Sequence, residues 1–305
     1  MARAQNAWQK DYWKNRERPV EKKNSNVQKF IKYIPVLVAG ILAVCIAFGI
    51  YRSIEETTRD AYQVVILGDS IAGKERFFTG IHSVIEQTSG MTVYNGAFGG
   101  SCASAGNPQN SYDYHEESLN LCRLVDAICD RDFGVQLADL PNNQFQSFYF
   151  PEALEGLSEI DFNKVEVVIL EHGNNDYSGG RPLDNQNDPY DIYTFGGALR
   201  YSIRALQEHY PDLKIILVTP NFCWIDDSEP CNVQDFGQGT MDEYVDLKLQ
   251  IAEEFGLDVI DVYHEIGFDE TNILSYTEDG IHLNESGRGI YGTFVGEKLL
   301  ECMEK

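Results

Sequence analysis

Val64-Val65-Ile66-Leu67-Gly68-Asp69-Ser70-Ile71-Ala72-Gly73 decides the reading of this chain. Four consecutive apolar residues, three of them β-branched, suit a strand covered on both faces. Gly-Asp-Ser then turns the chain, and a helical pattern follows. A strand running straight into a helix is the opening half of a βαβ unit. A serine at that junction lies near backbone N–H groups and the positive end of a helix, both of which favour developing negative charge. Capping the helix is the commonest work of a serine there, so the triplet alone does not name a reaction. Asp69 reads as a brace for the turn.

Outward from this stretch the same alternation recurs. Strands are expected at 62–67, 91–95, 165–171, 213–219 and 257–262. Helices are expected at 71–87, 194–209, 241–255 and 285–303, with Leu199, Ile203 and Leu206 on one face of the second. Apolar strands separated by helices imply a parallel sheet covered on both sides. The expected fold is therefore a three-layer α/β/α, flavodoxin-like domain with a five-stranded parallel sheet. Ligands bind outside the carboxyl ends of the strands in such folds. The stretch 101–164 is the least regular part. It holds a helical piece at 119–128 and an aromatic cluster of Phe145, Phe148, Tyr149 and Phe150, and reads as an insertion at the sheet edge or over the site.

Two further motifs end up at comparable places. Gly173-Asn174-Asn175-Asp176 follows the apolar run Val167-Val168-Ile169-Leu170, and Asp279-Gly280-Ile281-His282 lies near the C-terminus. His282 can take a serine proton, with Asp279 three residues earlier to fix the imidazole tautomer. The Asn175 amide can donate to an oxyanion, as can a backbone N–H in the loop Asn95-Gly96-Ala97-Phe98-Gly99-Gly100. A serine, an imidazole paired with a carboxylate, and an anion cradle are the parts of acyl transfer through a covalent serine ester. His172, His264 and Glu265 read as structural. The acidic pairs Asp226-Asp227 and Glu253-Glu254 read as solvated surface. No dinucleotide fingerprint, zinc spacing or EF-hand is present, and the chemistry needs no metal or organic cofactor.

Taken as a set, these blocks resemble the SGNH hydrolases, or GDSL esterases and lipases, over residues 62–300. Gly68-Asp69-Ser70 resembles the first block, which implies Ser70 as nucleophile. Asn95 through Gly100 resembles the second, where Gly100 best fits the oxyanion glycine and Gly99 is the close alternative. Gly173-x-Asn175-Asp176 resembles the third, which implies Asn175 as an oxyanion donor beside the Ser70 N–H. Asp279-x-x-His282 resembles the last and implies a Ser70–His282–Asp279 triad. The chain departs from the family pattern in its long segment between the second and third blocks, and in Asn174 where threonine is common.

Composition adds a compartment. The 305 residues are 43% hydrophobic, enough for one sizeable core. Residues 1–32 carry nine basic against three acidic side chains, a net +6, and the remainder fifteen against forty-five, a net −30. Between them residues 34–51 contain no charge, and a membrane-crossing helix needs roughly 17 to 25 apolar residues. The basic leader places the N-terminus in the cytoplasm. A cleaved leader would want a small-x-small site after the run. A lipoprotein signal would use Cys45, but Val44 precedes it and the run continues beyond. A buried core helix is the remaining alternative, against which stand a run apolar on every face and its strongly basic leader.

The expected organisation is a basic cytoplasmic tail (1–33), a transmembrane signal anchor (34–51), a linker (52–61) and an extracytoplasmic catalytic domain (62–305). Cys223 and Cys231 bracket a loop and are placed to bridge locally. Cys122 and Cys129 are too far apart along a helix to do so. The acidic domain argues against nucleic acid as a partner. The expected function is ester hydrolysis on a small-molecule or glycan substrate, with O-acetyl groups on carbohydrate favoured by an outward-facing location. An acyltransferase on cell-surface glycans and a non-catalytic surface binding module are the rival expectations.

Overall fold

The computed structural model describes residues 62–106, 117–139, 150–225 and 229–304. The tail, the apolar run 34–51, the linker, and Phe145, Phe148 and Tyr149 lie outside them. Among the described residues no helix is long and apolar enough to cross a membrane.

In chain order the elements are β1 (Val64–Leu67), α1 (Ser70–Gly73), α2 (Ile81–Ser89), β2 (Val93–Asn95), α3 (Leu121–Asp130), α4 (Gly134–Asp139), α5 (Phe150–Ser158), β3 (Val167–Leu170), α6 (Asn174–Ser178), α7 (Phe195–His209), β4 (Lys214–Val218), α8 (Met241–Phe255), β5 (Asp258–Ile260), α9 (Val262–Glu265), α10 (Ile273–Tyr276) and α11 (Glu285–Met303). The five strands form one parallel sheet in the order β2-β1-β3-β4-β5. Val64 of β1 pairs with Val93 of β2 on one side and Val167 of β3 on the other. Every residue of β1 and β3 is buried, as strands covered on both faces require.

The chain moves outward in opposite directions from β1 and from β3. With right-handed crossovers, this sends the connecting helices to opposite faces. Helix α2 packs on α11, while α7 packs on α3 and α8. Leu199, Ile203 and Leu206 of α7 are fully buried, on the face expected of them. The reversal between β1 and β3 opens a crevice above their carboxyl ends, the usual ligand position in such sheets. Both ends of the domain leave from the other rim: β1 begins there, and α11 runs back to it, its Cys302 carbonyl taking a hydrogen bond from Lys214 at the start of β4.

The structure differs from the expected elements in particular places. The strands are a residue or two shorter at their ends. The helix expected at 71–87 is two helices. A Cβ at Gly73 would stand 2.9 Å from the Ala97 carbonyl, and one at Gly80 would strike the Glu75 carbonyl. Between them Arg76 leaves the helical path to donate to the carbonyls of Asn95, at 2.6 Å, and Ala97. The described part of the insertion belongs to the core. Leu121, Leu124, Val125 and Ile128 of α3 are buried, and the Tyr94 hydroxyl of β2 donates to the Ala153 carbonyl of α5 at 2.6 Å. Cys122 and Cys129 both lie on α3. Cys223 and Cys231 are adjacent free thiols, with the Cys223 N–H donating to Cys231 Sγ at 3.2 Å.

Candidate active site

Ser70 opens α1 directly above β1, and the cap of that helix is Asp69. Its Oδ1 accepts the Ile71 N–H at 2.9 Å, which leaves the Ser70 hydroxyl free to point elsewhere. That hydroxyl meets His282 Nε2 at 2.9 Å across 212 residues of chain. His282 Nδ1 lies 2.6 Å from Asp279 Oδ2. A carboxylate only accepts, so Nδ1 carries the proton and Nε2 of the neutral ring accepts from Ser70. Asp279 Oδ1 is occupied by the N–H groups of His282, at 2.8 Å, and Ile281, at 3.1 Å. Partial burial raises the Asp279 carboxyl. The hydrogen bonds from the His282 ring, the His282 N–H and the Ile281 N–H outweigh it and hold the group below its ordinary value. Asp279 is thus a fixed anion behind a ring whose other nitrogen faces the serine.

The loop after β2 arrives beside the same serine. The Ser101 N–H bonds the Phe98 carbonyl at 3.1 Å, closing a turn in which Gly100 sits at φ +78°. That third turn position calls for glycine. A Cβ on Gly99 would lie 3.6 Å from Ser70 Cβ, so the glycine pair abuts the Ser70 turn. Asn175, in the first turn of α6, donates its amide to the Ser101 carbonyl at 3.0 Å. Ser70, Gly100, Asn175, Asp279 and His282 are therefore gathered at the carboxyl ends of β1, β2 and β3. His172 is the packed strand-end residue expected, wholly buried with Nε2 3.0 Å from Ser101 Oγ. His264 holds Asp261 at 2.8 Å, and Glu265 pairs with Lys298 at 3.2 Å.

Several residues that shape this site receive no role from sequence reasoning, although Asp176 and Asn95 stand within the quoted motif blocks. Asp176 is buried and accepts from the N–H groups of Ala103 (2.7 Å) and Ser104 (3.0 Å) and from the Ser104 hydroxyl (2.7 Å). It ties the start of the insertion to the Asn175 turn. Asn95 bonds the Ala97 N–H (3.1 Å) and the Ala72 carbonyl (2.7 Å), joining the glycine loop to α1. Arg76 grips two carbonyls of the same loop; burial drives its guanidinium down to about 10. Beneath the serine lie Glu171 and Lys248. Lys248 is detectable in sequence, because it falls on the buried stripe of α8 with Tyr244, Ile251 and Ala252, where a lysine has no ordinary place.

The sequence model of the GDSL-like Lipase/Acylhydrolase family matches residues 66–290. Among curated proteins, the chain is 32% identical over 170 residues to the human isoamyl acetate-hydrolyzing esterase 1 homolog, covering 54% of this chain and 65% of that protein. It is 30% identical over 131 residues to the mouse protein of the same name, covering 41% and 51%. The chain therefore spans less than two thirds of these relatives. Among solved structures, a Lactobacillus plantarum protein superposes with a TM-score of 0.57 at 17% identity, over 79% of this chain and 98% of that one. A possible lipase from Chitinophaga pinensis gives 0.52 at 16%, over 78% and 97%. At such identities these two establish the shared fold. The family match spans every motif block that converges on Ser70, so the chain belongs to the GDSL-like lipase/acylhydrolase family.

Proposed function

We propose that this chain is a membrane-anchored serine esterase whose catalytic domain lies outside the cytoplasm and removes acetyl groups from carbohydrate hydroxyls. The observation that carries the catalytic part is the unbroken relay from Ser70 Oγ to His282 Nε2, 2.9 Å, and from His282 Nδ1 to Asp279 Oδ2, 2.6 Å. Ser70 Oγ attacks the ester carbonyl carbon while its proton passes to His282 Nε2. Asp279 stabilises the imidazolium that results. The N–H groups of Ser70 and Gly100 and the Asn175 amide receive the oxyanion. Collapse of the tetrahedral species breaks the ester C–O bond, and the departing alcohol takes the proton from His282. A water molecule then attacks acyl-Ser70, with His282 again as base, releasing the carboxylic acid and restoring the serine.

The acetyl preference is supported by the curated relatives, whose name specifies an acetate ester. The carbohydrate portion and the location rest on the uncharged run 34–51, its basic leader and the acidic remainder. The full chain is expected to hydrolyse p-nitrophenyl acetate and O-acetylated sugars faster than lysolipids, and Ser70→Ala to abolish both activities. Ser70→Ala activity equal to the parent would refute the mechanism. Preference for long acyl chains would refute the substrate. Protease treatment of intact cells that spares the folded domain would refute the location.

A further inference from the structure

The chain leaving β4 passes against the turn that carries Asp279 and His282. The Trp224 N–H donates to the Gly280 carbonyl at 2.8 Å. Gly280 sits at φ +85°, and a Cβ on it would strike the Trp224 carbonyl oxygen. The Asp279-Gly280-Ile281-His282 turn therefore rests on the Trp224 peptide with no room between them. Whatever fixes that peptide also steadies the ring that faces Ser70.

The residue before Trp224 is Cys223, and Cys231 lies opposite it. The Cys231 N–H donates to the Cys223 carbonyl at 3.0 Å, and the Cys223 N–H donates to Cys231 Sγ at 3.2 Å. Both cysteines are buried, and their thiols are hydrogen-bond partners. Residues opposed across backbone hydrogen bonds have Cα atoms roughly 5.5 Å apart, inside the span that a disulfide bridges. The backbone thus already holds the two sulfurs at bridging range. The Cys231 carbonyl in turn accepts the N–H of Met241, the first residue of α8, at 3.0 Å. A bond between the sulfurs would join the exit of β4 to the start of α8.

The two thiols are not equivalent. Burial raises Cys231, but the Cys223 thiol, the Cys223 N–H and the Tyr263 hydroxyl, 3.7 Å from its sulfur, outweigh burial and hold it below its ordinary value. The Cys223 thiol is pushed well up, by its hydrogen bond to Cys231 and then by burial. A thiolate is the attacking species in disulfide exchange, so Cys231 is the sulfur suited to react first. Val233, two residues beyond it, is 56% exposed, which brings this thiol close to the surface.

We propose that Cys223 and Cys231 are a disulfide-forming pair: exchange with a small-molecule disulfide such as glutathione disulfide joins their sulfurs and staples the Trp224 peptide against the turn bearing Asp279 and His282. The Cys231 thiolate attacks one sulfur of the small disulfide, forming a mixed disulfide and expelling one small thiol. Cys223 then attacks the Cys231 sulfur and expels the second. Two protein thiols and one small disulfide become one protein disulfide and two small thiols. The two electrons given up by the cysteines reduce the small S–S bond, and the two thiol protons end on the released thiols. Such a bond persists in an oxidising compartment, and it stabilises chiefly by restricting the unfolded chain. The crosslink does not depend on the role assigned to Ser70.

The test equilibrates the full chain in detergent with equal concentrations of reduced and oxidised glutathione, quenches it with acid, alkylates the free thiols after denaturation and maps the peptides by mass. A Cys223–Cys231 crosslinked peptide in most molecules is expected. Alkylation of both residues, or their capture by other cysteines, overturns the proposal. Thermal unfolding followed by circular dichroism should then give a midpoint several degrees higher for the oxidised parent than for the parent reduced with dithiothreitol. Cys223→Ala/Cys231→Ala should show no such difference between the two treatments. Equal midpoints for the oxidised and reduced parent, or a shift of the same size in the double variant, overturn the staple. The peptide map needs no variant, so it decides the crosslink even if the double variant fails to fold. Neither readout uses an ester. Ser70→Ala should therefore form the same crosslink, while its hydrolytic activity tests the proposed function separately.

Discussion

At the scale of single residues, the proposed mechanism divides the site into groups that handle the substrate and groups that aim them. Asn175 belongs to the first set. Asn175→Ala is expected to lower kcat by about 10²–10³, or ~3–4 kcal/mol of transition-state stabilisation, with little change in KM, in steady-state hydrolysis of p-nitrophenyl acetate. His172 belongs to the second. Burial, and then the charge of Lys248, press its imidazole down to about 3, whereas in an unfolded chain it titrates near 6.5. Between those values the unfolded chain binds a proton that the folded chain refuses, so this residue costs stability progressively as pH falls below about 6.5. Asp69, raised to about 6, works in the opposite sense over its own window. The separable prediction is therefore a difference. From pH 6.5 to pH 5, denaturant titration should show the parent losing about 2 kcal/mol more than His172→Gln, and equal slopes would contradict the assignment.

The residue scale also shows why part of the site is legible in the sequence. Ser70, Asn175, Asp279 and His282 carry side chains whose chemistry is specific and whose places follow strand ends or a short Asp-x-x-His spacing. Asp176, Asn95 and Arg76 act by gripping the backbone of a distant loop, and nothing local announces which carbonyl or N–H a side chain will reach. Lys248 is intermediate, visible as a misfit in an apolar stripe but silent about the His172 carbonyl it reaches.

Among the elements, the best-anticipated are those whose period extends over many turns. Helices α8 and α11 begin and end where the pattern places them, the first with Thr240 and Glu243 forming a reciprocal cap. The segment after Ser70 misleads because its residues are compatible with a continuous helix. The break comes from the Ala97 and Asn95 carbonyls, which sequence periodicity does not record. Another feature of α11 is equally invisible to a hydrophobic pattern. Gly292 and Gly296 face α2 so closely that a Cβ on them would stand 2.6 Å from Val84 Cβ and 2.7 Å from Thr88 Cβ. These positions set the spacing of the two helices on that face of the sheet. Gly292→Val is expected to overpack the contact, at a cost of about 1–3 kcal/mol. Thermal unfolding should register this as a fall of several degrees, while an unchanged midpoint would mean that the helices separate freely.

For the molecule as a whole, charge is the dominant property outside the fold. The chain after residue 32 carries a net −30, so the approach of an anionic ester is opposed over a range set by ionic strength. At low salt, p-nitrophenyl hemisuccinate is expected to be hydrolysed with a lower kcat/KM than p-nitrophenyl acetate, and the ratio should narrow as salt rises from about 10 mM to 0.5 M. A ratio indifferent to salt would mean that the approach to Ser70 is locally neutral. The layered architecture and the parallel sheet follow from the alternation of apolar strands with helices, because a parallel sheet has few ways to cover both faces. The role of the segment after Gly100 could not be read that way. Its helices bury their apolar stripes against α7 and the β2 edge, contacts that only the assembled sheet creates.

The placement of both ends of the described domain on one rim, opposite the crevice, bears on how the protein can be handled. A reporter, affinity handle or solid support attached before Tyr62 or after Met303 would be held away from the mouth that admits the ester. Copies joined end to end by short spacers would keep every mouth open. An array of this protein on a surface should then retain the turnover per molecule of the free protein, whereas attachment through the loop at Phe77 and Phe78, which follows Ser70 and α1, should diminish it.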